Sequence, residues 1–598
     1  MSDIFGFDFG TTNSLISFIK GNKAVNLLDS GFPHPSVVCY QGDKKIVGRQ
    51  AKLRLSEAKL GVIGNVVRSP KTLLGEHKIF VDGVARSPKD VVRDIVEYIR
   101  MDAMESGAGK DSKLKFDKAV VTIPVDMNGE RRKQLRDAFR MAGIAVSQFV
   151  HEPLAALYGH LRSKTNYSQL LQELEREVVL VFDWGGGTLD LTLCQIKDGM
   201  LVQLKNTGCS TVGGDVIDEM IRNTVIDKVL KSRGVDEKLS YQPLAMEKLL
   251  NVAERAKIEL STHETAQIYV SNFFQTEKYD PDLDYELTRE ELIEICNDKI
   301  SEGIGRAQDL LASARFSNAS VALCLATGGM VNMPVIKSRL REIFGSQRLE
   351  ISERSGTVIA EGAAWIAHDA KRLSLAKNIE VYVAVDSHFP LVKAGTLMPQ
   401  EGTVQKQSVN LYCTDPRDGL AKFQIKSPKR CGKEVLVTEP RDILSNLSVN
   451  VDAKAKPFFE RLQLDATIDE NLILNVSAWS SIEDDYDQID IHDIEFGLEL
   501  PELVVKKPLK AAKSPATVAK EQPVATTGYV SVRSNVSDRL DKSLVPGELM
   551  EEIDPVYMYH GNNPPQRQLD ECTYYLPCSV CGRVWNDPDC TCADDIKI

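Results

Sequence analysis

The stretch IFGFDFGTTNSLISF, residues 4–18, places one carboxylate between two aromatic side chains and follows it with a polar turn. The carboxylate is Asp8, and the turn is made of Gly10, Thr11, Thr12, Asn13 and Ser14. Two strands joined by such a turn indicate an ordinary hairpin. A second interpretation is that Gly10 lets the backbone approach a ligand closely, so that the N–H groups and hydroxyls of the turn face phosphate oxygens. Asp8 then faces a hydrated Mg²⁺ ion.

A second copy of this pattern favours the phosphate interpretation. The stretch VLVFDWGGGTLDLTLCQI, residues 179–196, repeats the order Phe-Asp-aromatic-Gly, with Asp183 in the place of Asp8. Gly185, Gly186 and Gly187 cost conformational entropy inside a β-rich run and offer no side chain to pack, which indicates a close approach of the backbone to something else. Two such hairpins predict a site in which one polyphosphate is bound from opposite sides.

Length and composition limit the class of protein. A chain of 598 residues with 43% hydrophobic content predicts several domains with buried cores. Its net charge of −12 argues against a nucleic-acid partner. The sequence runs from Met1 directly into the first hairpin, and no stretch is apolar for long enough to span a membrane. We therefore expect no signal peptide, no membrane partner and a cytoplasmic location.

The cysteines fall into two groups. Seven are scattered singly, which indicates buried reduced thiols: Cys39, Cys194, Cys209, Cys296, Cys324, Cys413 and Cys431. Near the C-terminus, Cys578 and Cys581 form a CxxC pair, and Cys590 and Cys592 form a CxC pair. Because Zn²⁺ takes four tetrahedral ligands, we predict a small zinc module over residues 566–598. Loose thiols or a redox pair are the alternative, and Cys572 or His560 can replace one ligand.

Residues 1–370 alternate β-rich runs with amphipathic helical patterns, which is typical of α/β proteins. KAVVTIPV (118–125) reads as a buried strand, and NGERRKQLRDAFRMAGI (128–144) reads as a helix that Gly143 can end. ATGGMVNMP (326–334) contains a Gly-Gly turn that opens a helix, which is a plausible nucleotide-binding corner.

The order of these motifs resembles the 70-kilodalton heat-shock chaperone family, in a divergent form, within the actin-like ATPase superfamily. GFDFGTTNS and VFDWGGGTLDLT are similar to the two phosphate motifs, and TVGGDVID, ERAKIELS and ATGGMVNMP follow in family order. The resemblance implies a two-lobed actin-like ATPase domain over 1–370 and a β-sandwich substrate-binding-like domain over 380–485. An acidic and then Pro-, Ala- and Lys-rich flexible linker is predicted over 486–565, in place of the family's helical lid.

The resemblance implies an ATP-dependent chaperone that hydrolyses ATP slowly with Mg²⁺ and thereby regulates the binding of unfolded or extended polypeptides. A J-domain cochaperone and a nucleotide exchange factor are the implied partners. Asp8 and Asp183 would hold Mg²⁺ through water. The implied catalytic residues are Lys71, Glu152, Asp183, Thr188 and Asp190. The implied residues for ATP or ADP are Asp8, Gly10, Thr11, Thr12, Asn13, Gly185, Gly186, Gly187, Gly213, Gly214, Asp215, Glu254, Lys257, Ser261, Gly328 and Gly329.

Two departures from the family pattern affect these expectations. Met330, Val331 and Asn332 stand where the family has Ser-Thr-Arg, so the arginine that stacks on adenine is missing. The acidic, leucine-rich linker that follows the ATPase domain in the family is also missing. We therefore expect ATP to alter peptide affinity only weakly. Coupling between two binding sites needs a structural element with two conformations, and ligands at both sites must shift the equilibrium between them.

Simpler roles and other functions compete with this interpretation. Lys71 taken alone reads as a solvated surface lysine, and Glu152 and Asp190 can serve as caps or turn residues. Glu254 and Lys257, three apart on a helix, can form a surface ion pair. A small-molecule kinase on the same fold is one alternative function. The other is a nucleotide-switched scaffold with negligible hydrolysis, whose C-terminal tail recruits partners.

Overall fold

The computed structural model describes residues 4–501, apart from 58–64, 82, 236–238, 243–244, 384–386, 432–434, 437, 458 and 482–483. The predicted zinc ligands Cys578, Cys581, Cys590 and Cys592 lie outside the described residues, as does the predicted linker from residue 502 onward.

A mixed sheet forms the first lobe, with the strand order β11-β10-β1-β2-β3 and β4 paired with β2. β1 runs parallel to β10 and antiparallel to β2. The strands of this lobe are β1 (Phe5–Phe9), β2 (Asn13–Lys20), β3 (Lys23–Leu27), β4 (His34–Pro35), β5 (Val37–Gln41), β6 (Lys44–Val47), β7 (Val66–Arg68), β8 (Ile79–Val81), β9 (Val84–Arg86), β10 (Lys118–Ile123) and β11 (Ala145–His151). Its helices are α1 (Arg49–Glu57), α2 (Pro88–Glu105), α3 (Gly107–Ser112), α4 (Gly129–Met141) and α5 (Glu152–Ser163), with a 3₁₀ turn at Pro70–Leu73.

The second lobe repeats this arrangement. Its central strand, β12, runs antiparallel to the hairpin partner β13 and parallel to β19. The strands are β12 (Val178–Trp184), β13 (Leu189–Lys197), β14 (Met200–Cys209), β15 (Ser240–Tyr241), β16 (Thr265–Val270), β17 (Phe274–Gln275), β18 (Leu283–Thr288), β19 (Val321–Thr327) and β20 (Leu349–Ile351). The helices are α6 (Tyr167–Glu173), α7 (Gly214–Ser232), α8 (Ala245–Glu259), α9 (Arg289–Ser313), α10 (Pro334–Phe344) and α11 (Val358–His368), with 3₁₀ turns at Asn318–Ser320 and Gly329–Asn332. The prediction of a mixed α/β fold is confirmed.

Helices α5 and α11 cross between the two lobes in backbone contact. A Cβ atom on Gly362 would lie 1.8 Å from the carbonyl oxygen of Ala155, and one on Gly159 would lie 2.8 Å from the Gly362 backbone. Helix α11 packs on β1 and β10, whereas α5 packs on β12 and β13. The crossing therefore joins the sheets of the two lobes, and it tolerates only glycine at these two positions.

Two antiparallel sheets follow, in the orders β23-β22-β25-β26 and β24-β27-β28-β29. Their strands are β22 (Ile379–Val383), β23 (Ser387–Val392), β24 (Gln405–Tyr412), β25 (Leu420–Pro428), β26 (Arg441–Asn450), β27 (Arg461–Ile468), β28 (Leu474–Ser480) and β29 (Tyr486–Ile491). Buried side chains of both sheets belong to one apolar core. We call this part the β-domain. It lies where the sequence predicts a β-sandwich, and its role in binding substrate stays a prediction.

The chain then returns to the second lobe. Strand β30 (Phe496–Glu499) pairs with β14 on one side and with β21 (Leu373–Leu375) on the other, which extends the sheet of that lobe to β20-β19-β12-β13-β14-β30-β21. The buried Lys377 donates to the Leu204 carbonyl and forms an ion pair with the half-buried Glu495 at 3.0 Å. The chain on both sides of the β-domain is thus fixed to the second lobe.

The start of the predicted flexible linker is wrong. Residues 486–491 form β29, and residues 496–499 form β30. The acidic side chains that suggested a solvated linker accept backbone bonds instead: Asp487 accepts from the Ser448 N–H and Asp485 from the Asn450 N–H. The strand at residues 486–491 was missed because its outward-facing residues are polar and acidic, a composition that also suggests a solvated linker.

Helix α4 of the first lobe contacts the β-domain through two arginines. Buried Arg132 donates to the Leu472 carbonyl at 3.1 Å, and Arg136 donates to Asn471 Oδ1 at 2.7 Å. At the start of the same helix, a Cβ atom on Gly129 would lie 2.6 Å from Ile473 Cδ1. The loop between β27 and β28 is therefore packed directly against the first lobe.

Among the residues that the structure describes, no helix is both long and apolar enough to cross a membrane. The seven singly placed cysteines are free thiols, and of these only Cys431 is not fully buried. The prediction of reduced, mostly buried thiols is confirmed for this part of the chain.

Phe496 anchors β30 in the core. Its side chain is fully buried beside His151, with ring centroids 5.4 Å apart, and its N–H donates to Gln203 Oε1 at 3.0 Å. Burial lowers the pKa of His151 to about 3, so this ring is neutral at physiological pH.

We expect Phe496→Ala to lower the free energy of unfolding by about 3–5 kcal/mol, because it removes a large side chain from a packed core. Urea unfolding followed by circular dichroism measures this loss. Phe80→Ala is the matched control, since Phe80 is 69% exposed. Equal, small losses in the two variants would contradict the placement of β30 in the core.

Candidate functional site

The two glycine-containing hairpins each carry one aspartate at the end of a central strand. Asp8 lies on β1, and its Oδ1 accepts a hydrogen bond from Thr122 Oγ1 at 2.8 Å. Asp183 lies on β12, is buried, and is directly opposite Asp190 of β13 in the strand register. In the first turn, a Cβ atom on Gly10 would lie 2.1 Å from the Asn13 carbonyl oxygen, so only glycine fits there.

The two turns lie face to face. A Cβ atom on Gly186 would lie 2.2 Å from Thr12 Oγ1, and one on Gly187 would lie 2.5 Å from Thr11 Oγ1. Thr12 Oγ1 is buried and has no hydrogen-bond partner among the described residues. The structure thus brings the two repeated motifs together, and it leaves a buried hydroxyl between them that is free to bind a ligand.

The N-terminus of α7 meets the second turn. The N–H of Gly214 donates to the Gly185 carbonyl at 3.2 Å, and that of Asp215 donates to the Gly186 carbonyl at 2.8 Å. A Cβ atom on Gly213 would lie 2.5 Å from the Gly186 oxygen. Because the positive end of a long helix favours anions, this end of α7 adds to the attraction of the turns for negative charge.

Lys71 and Glu152 form a buried ion pair beside these turns. Lys71 lies in the 3₁₀ turn Pro70–Leu73 and is only 2% exposed, and its Nζ donates to Glu152 Oε1 at 2.7 Å. Glu152 is the first residue of α5. Lys71 is therefore not the solvated surface lysine that it resembles in isolation.

Three further carboxyl groups surround this pair. Burial and the charge of Glu152 raise the pKa of Asp8 to about 6, although Lys71 opposes the shift. Burial and the same charge raise the pKa of Asp190 to about 8 and hold the pKa of Asp183 well above its ordinary range. One buried lysine does not balance this many carboxylates, so the ionised site favours an added cation.

Asp190 is held by two donors. Its Oδ1 accepts from the Val125 N–H at 2.9 Å, and its Oδ2 accepts from Thr188 Oγ1 at 2.6 Å. These bonds tie the second hairpin to the chain that follows β10. Thr188 and Asp190 thus lie together beside the turns, as the motif predicts, and their catalytic roles stay predictions.

Glu254 of α8 forms ion pairs across the cleft between the lobes. Its carboxylate is 2.8 Å from Lys52 Nζ and 3.1 Å from Arg68 Nη2, both of which belong to the first lobe. Burial raises the pKa of Glu254, but Lys52, Arg68 and Lys257 outweigh burial and hold this pKa below its ordinary value. The alternative of a plain surface pair between Glu254 and Lys257 is wrong, because both side chains are buried.

Lys257 connects α8 with the start of α7. Its Nζ donates to the Gly214 carbonyl at 2.9 Å and is 2.8 Å from Asp218 Oδ1. Burial raises the pKa of Asp218 to about 6, with Lys257 opposing the shift. Ser261, which the resemblance assigns to nucleotide binding together with Glu254 and Lys257, follows the end of α8 and is half-buried.

The Gly-Gly corner of the second lobe packs against β12. Gly328 has a φ of 87°, and a Cβ atom on it would lie 2.3 Å from the Trp184 carbonyl oxygen. Gly329 has open space where its side chain would be. Of the residues after the glycines, Met330 is buried near Gly214 and Asn332 is exposed. An apolar side chain thus occupies this corner.

Several neighbours of the site were not predicted from the sequence: Lys52, Arg68, Thr122 and Asp218. Arg68 stands three residues before Lys71, and Asp218 ends the quoted motif TVGGDVID, so both had a local signal. Lys52 and Thr122 had none, because their partners are distant in the sequence.

Within the described ranges, no group of three His, Cys, Asp or Glu side chains is arranged to hold a metal ion directly. Mg²⁺ often contacts protein through only one or two carboxylates and keeps several of its waters. The donor set at Asp8 and Asp183 fits that mode of binding.

The structure has two lobes of like topology, which are joined by crossing helices and carry two facing glycine-containing turns. This arrangement defines the actin-like ATPase superfamily. Residues 4–495 match the family model described as Hsp70 protein. The chain therefore belongs to the Hsp70 family, whose members are in general chaperone-type ATPases that bind nucleotide with Mg²⁺, unfolded polypeptides and cochaperones.

We expect Asp8→Asn and Asp183→Asn each to weaken binding of Mg-ADP by about tenfold or more, and the double variant to lose less than the sum of the two free energies. The reason is that, if Mg²⁺ binds in the mode that this donor set fits, both carboxylates would face one hydrated cation. The same changes should leave the ligand-free protein at least as stable as the wild type, because they remove crowded negative charge.

Calorimetric titration and thermal unfolding measure the two effects, with Asp198→Asn at an exposed turn as the control. Strictly additive losses of binding free energy would mean that the two hairpins do not share a ligand.

Proposed function

We propose that this chain is a slow Mg²⁺-dependent ATPase that uses ATP hydrolysis to regulate its binding of unfolded or extended polypeptides. The observation that supports this most is the buried Lys71–Glu152 pair, which lies beside two facing glycine-containing turns. Phosphoryl transfer depends on positioning and electrostatics, and a lysine held at the developing charge supplies both.

The turns supply the phosphate cradle in this proposal. Thr11 and Thr12 present hydroxyls from the first turn, and Gly185, Gly186 and Gly187 present backbone from the second. Asp215 lies at the start of α7, and burial raises its pKa despite the charges of Lys257 and Arg68. The lack of space for any Cβ atom at Gly186 and Gly187 supports a tight cradle.

Hydrolysis requires that a water molecule be oriented toward the terminal phosphate. We assign this positioning to Lys71 and Glu152, which fix each other at 2.7 Å, and to Thr188 and Asp190 on the second hairpin. The buried carboxylate of Glu152 accepts a hydrogen bond from Lys71 and can accept another from water. Burial keeps these groups in a setting where their charges are weakly screened.

Asp8 and Asp183 would hold the magnesium ion through its waters, and the bound ion would offset negative charge on the phosphates. The raised pKa values of both aspartates support this assignment, since crowded carboxylates gain from a nearby cation.

We place the base of the nucleotide between α8 and the Gly-Gly corner. Glu254, Lys257 and Ser261 come from one side, and Gly328, Gly329 and Met330 come from the other. In this chain an apolar side chain packs near the base in place of a stacking arginine. The site is therefore expected to select adenine less strongly than a site with arginine.

The β-domain is the proposed site for polypeptides. Strands of an antiparallel sheet bind extended peptides through main-chain hydrogen bonds and side-chain pockets. Because α4, β21 and β30 attach this domain to the two lobes, they offer a route by which ATP can influence it. J-domain cochaperones and nucleotide exchange factors are the proposed partners of the ATPase part.

We expect Lys71→Ala to abolish most ATP hydrolysis while it retains nucleotide binding, since Lys71 acts at the terminal phosphate and the other contacts remain. Phosphate release under single-turnover conditions and calorimetric ADP binding measure the two properties. Lys89→Ala, at a partly exposed lysine on α2, is the control. Wild-type turnover in Lys71→Ala would overturn the site assignment, whereas negligible turnover in the wild type with ADP still bound would favour a nucleotide-switched scaffold.

A further inference from the structure

A cavity of about 430 Å³ lies between the second lobe and the β-domain, away from the nucleotide site. The second lobe contributes the end of β13, the middle of β14 and the end of α9 with the residues that follow it. The β-domain contributes the residues after β25 and the start of β26. This volume is in the range of small-molecule sites in proteins.

Positive side chains predominate in the lining, which includes Lys197, Lys205, Arg315, Lys377, Lys429 and Arg430. Three of these cations have carboxylate partners: Lys377 pairs with Glu495 at 3.0 Å, Lys429 with Asp442 at 3.2 Å and Arg430 with Glu439 at 3.6 Å. These pairs cancel in charge, so they add little net field in the cavity.

The other three cations, Lys197, Lys205 and Arg315, form no ion pair with a described residue. All three belong to the second lobe, and all three face the same cavity. Like charges that share a concave site raise its potential, and a multivalent anion relieves their repulsion.

The other described groups that line the cavity do not offset this charge. Burial raises the pKa of the Cys431 thiol to about 12, so the thiol is neutral at physiological pH. The last carbonyls of α9 accept bonds from the N–H groups of residues 314–316, which reduces their exposure as acceptors. Among the described residues, the lining of the cavity therefore has an excess of positive charge.

We propose that this cavity binds a small phosphate-bearing anion and that the bound anion stabilises the contact between the second lobe and the β-domain. A guanidinium group and two ammonium groups provide multiple donors for phosphate oxygens. Because the walls come from both parts of the chain, a ligand here favours the arrangement in which the two are in contact. This proposal does not depend on ATP hydrolysis.

Calorimetric titration with pyrophosphate tests the proposal on the full chain, at constant ionic strength and with Mg-ADP present to fill the nucleotide site. We expect one saturable site in the wild type and an affinity about tenfold or more lower in the triple variant Lys197→Gln, Lys205→Gln and Arg315→Gln, because three positive charges are removed. The matched control neutralises three exposed lysines elsewhere: Lys110→Gln, Lys231→Gln and Lys393→Gln.

The control variant should bind pyrophosphate like the wild type, and pyrophosphate should raise the melting temperature of both but not of the cavity variant. If the cavity variant does not fold, Lys197→Glu replaces it, because Lys197 is exposed at the mouth of the cavity. No saturable binding in the wild type would overturn the proposal, as would equal binding in the cavity and control variants.

Discussion

The two hairpin turns lie so close together that Gly186 and Gly187 have no room for a side chain, and the rest of the structure keeps the turns in that position. Gly186 and Gly187 approach Thr12 and Thr11 so closely that an added Cβ atom would overlap a threonine side chain. The crossing of α5 and α11 imposes the same limit at Gly159 and Gly362. Both contacts join one lobe to the other, so the shape of the proposed phosphate cradle depends on how the lobes are packed together.

The electrostatics of the cleft depend on that packing too. Asp8 and Asp183 come from different lobes, and Lys71 reaches Glu152 within the first. Bringing these groups together buries more negative than positive charge, which raises the pKa of each aspartate. Burying unbalanced charge is unfavourable, and a cation bound with nucleotide would offset it. In the proposed function, this unfavourable burial of charge would contribute to the affinity of the site for a metal–nucleotide complex.

The sequence predicted those parts of the structure that are encoded locally. The repeated Phe-Asp-aromatic-Gly motif predicted the positions of both hairpins correctly. The consecutive glycines indicated a close approach of the backbone, and Gly186 and Gly187 do lie against Thr12 and Thr11. Apart from the pairing of the two hairpins, contacts between distant segments were not predicted. Glu254 pairs with Lys52 and Arg68, and no local pattern connects residues so far apart. Strand β30 was not predicted for the same reason, because its partners β14 and β21 lie far upstream in the sequence. The acidic residues around it also suggested a linker.

The most direct test of this account measures whether the two turns are in contact. Gly187→Ala should lower the free energy of unfolding of the ligand-free protein by about 1–3 kcal/mol, because the new methyl group meets Thr11. Gly185→Ala is the control, since its methyl group would meet only the Thr188 oxygen at 3.6 Å. The loss from Gly187→Ala should become smaller when Thr11→Ala is also present. Equal losses from Gly187→Ala with and without Thr11→Ala would contradict the contact between the turns.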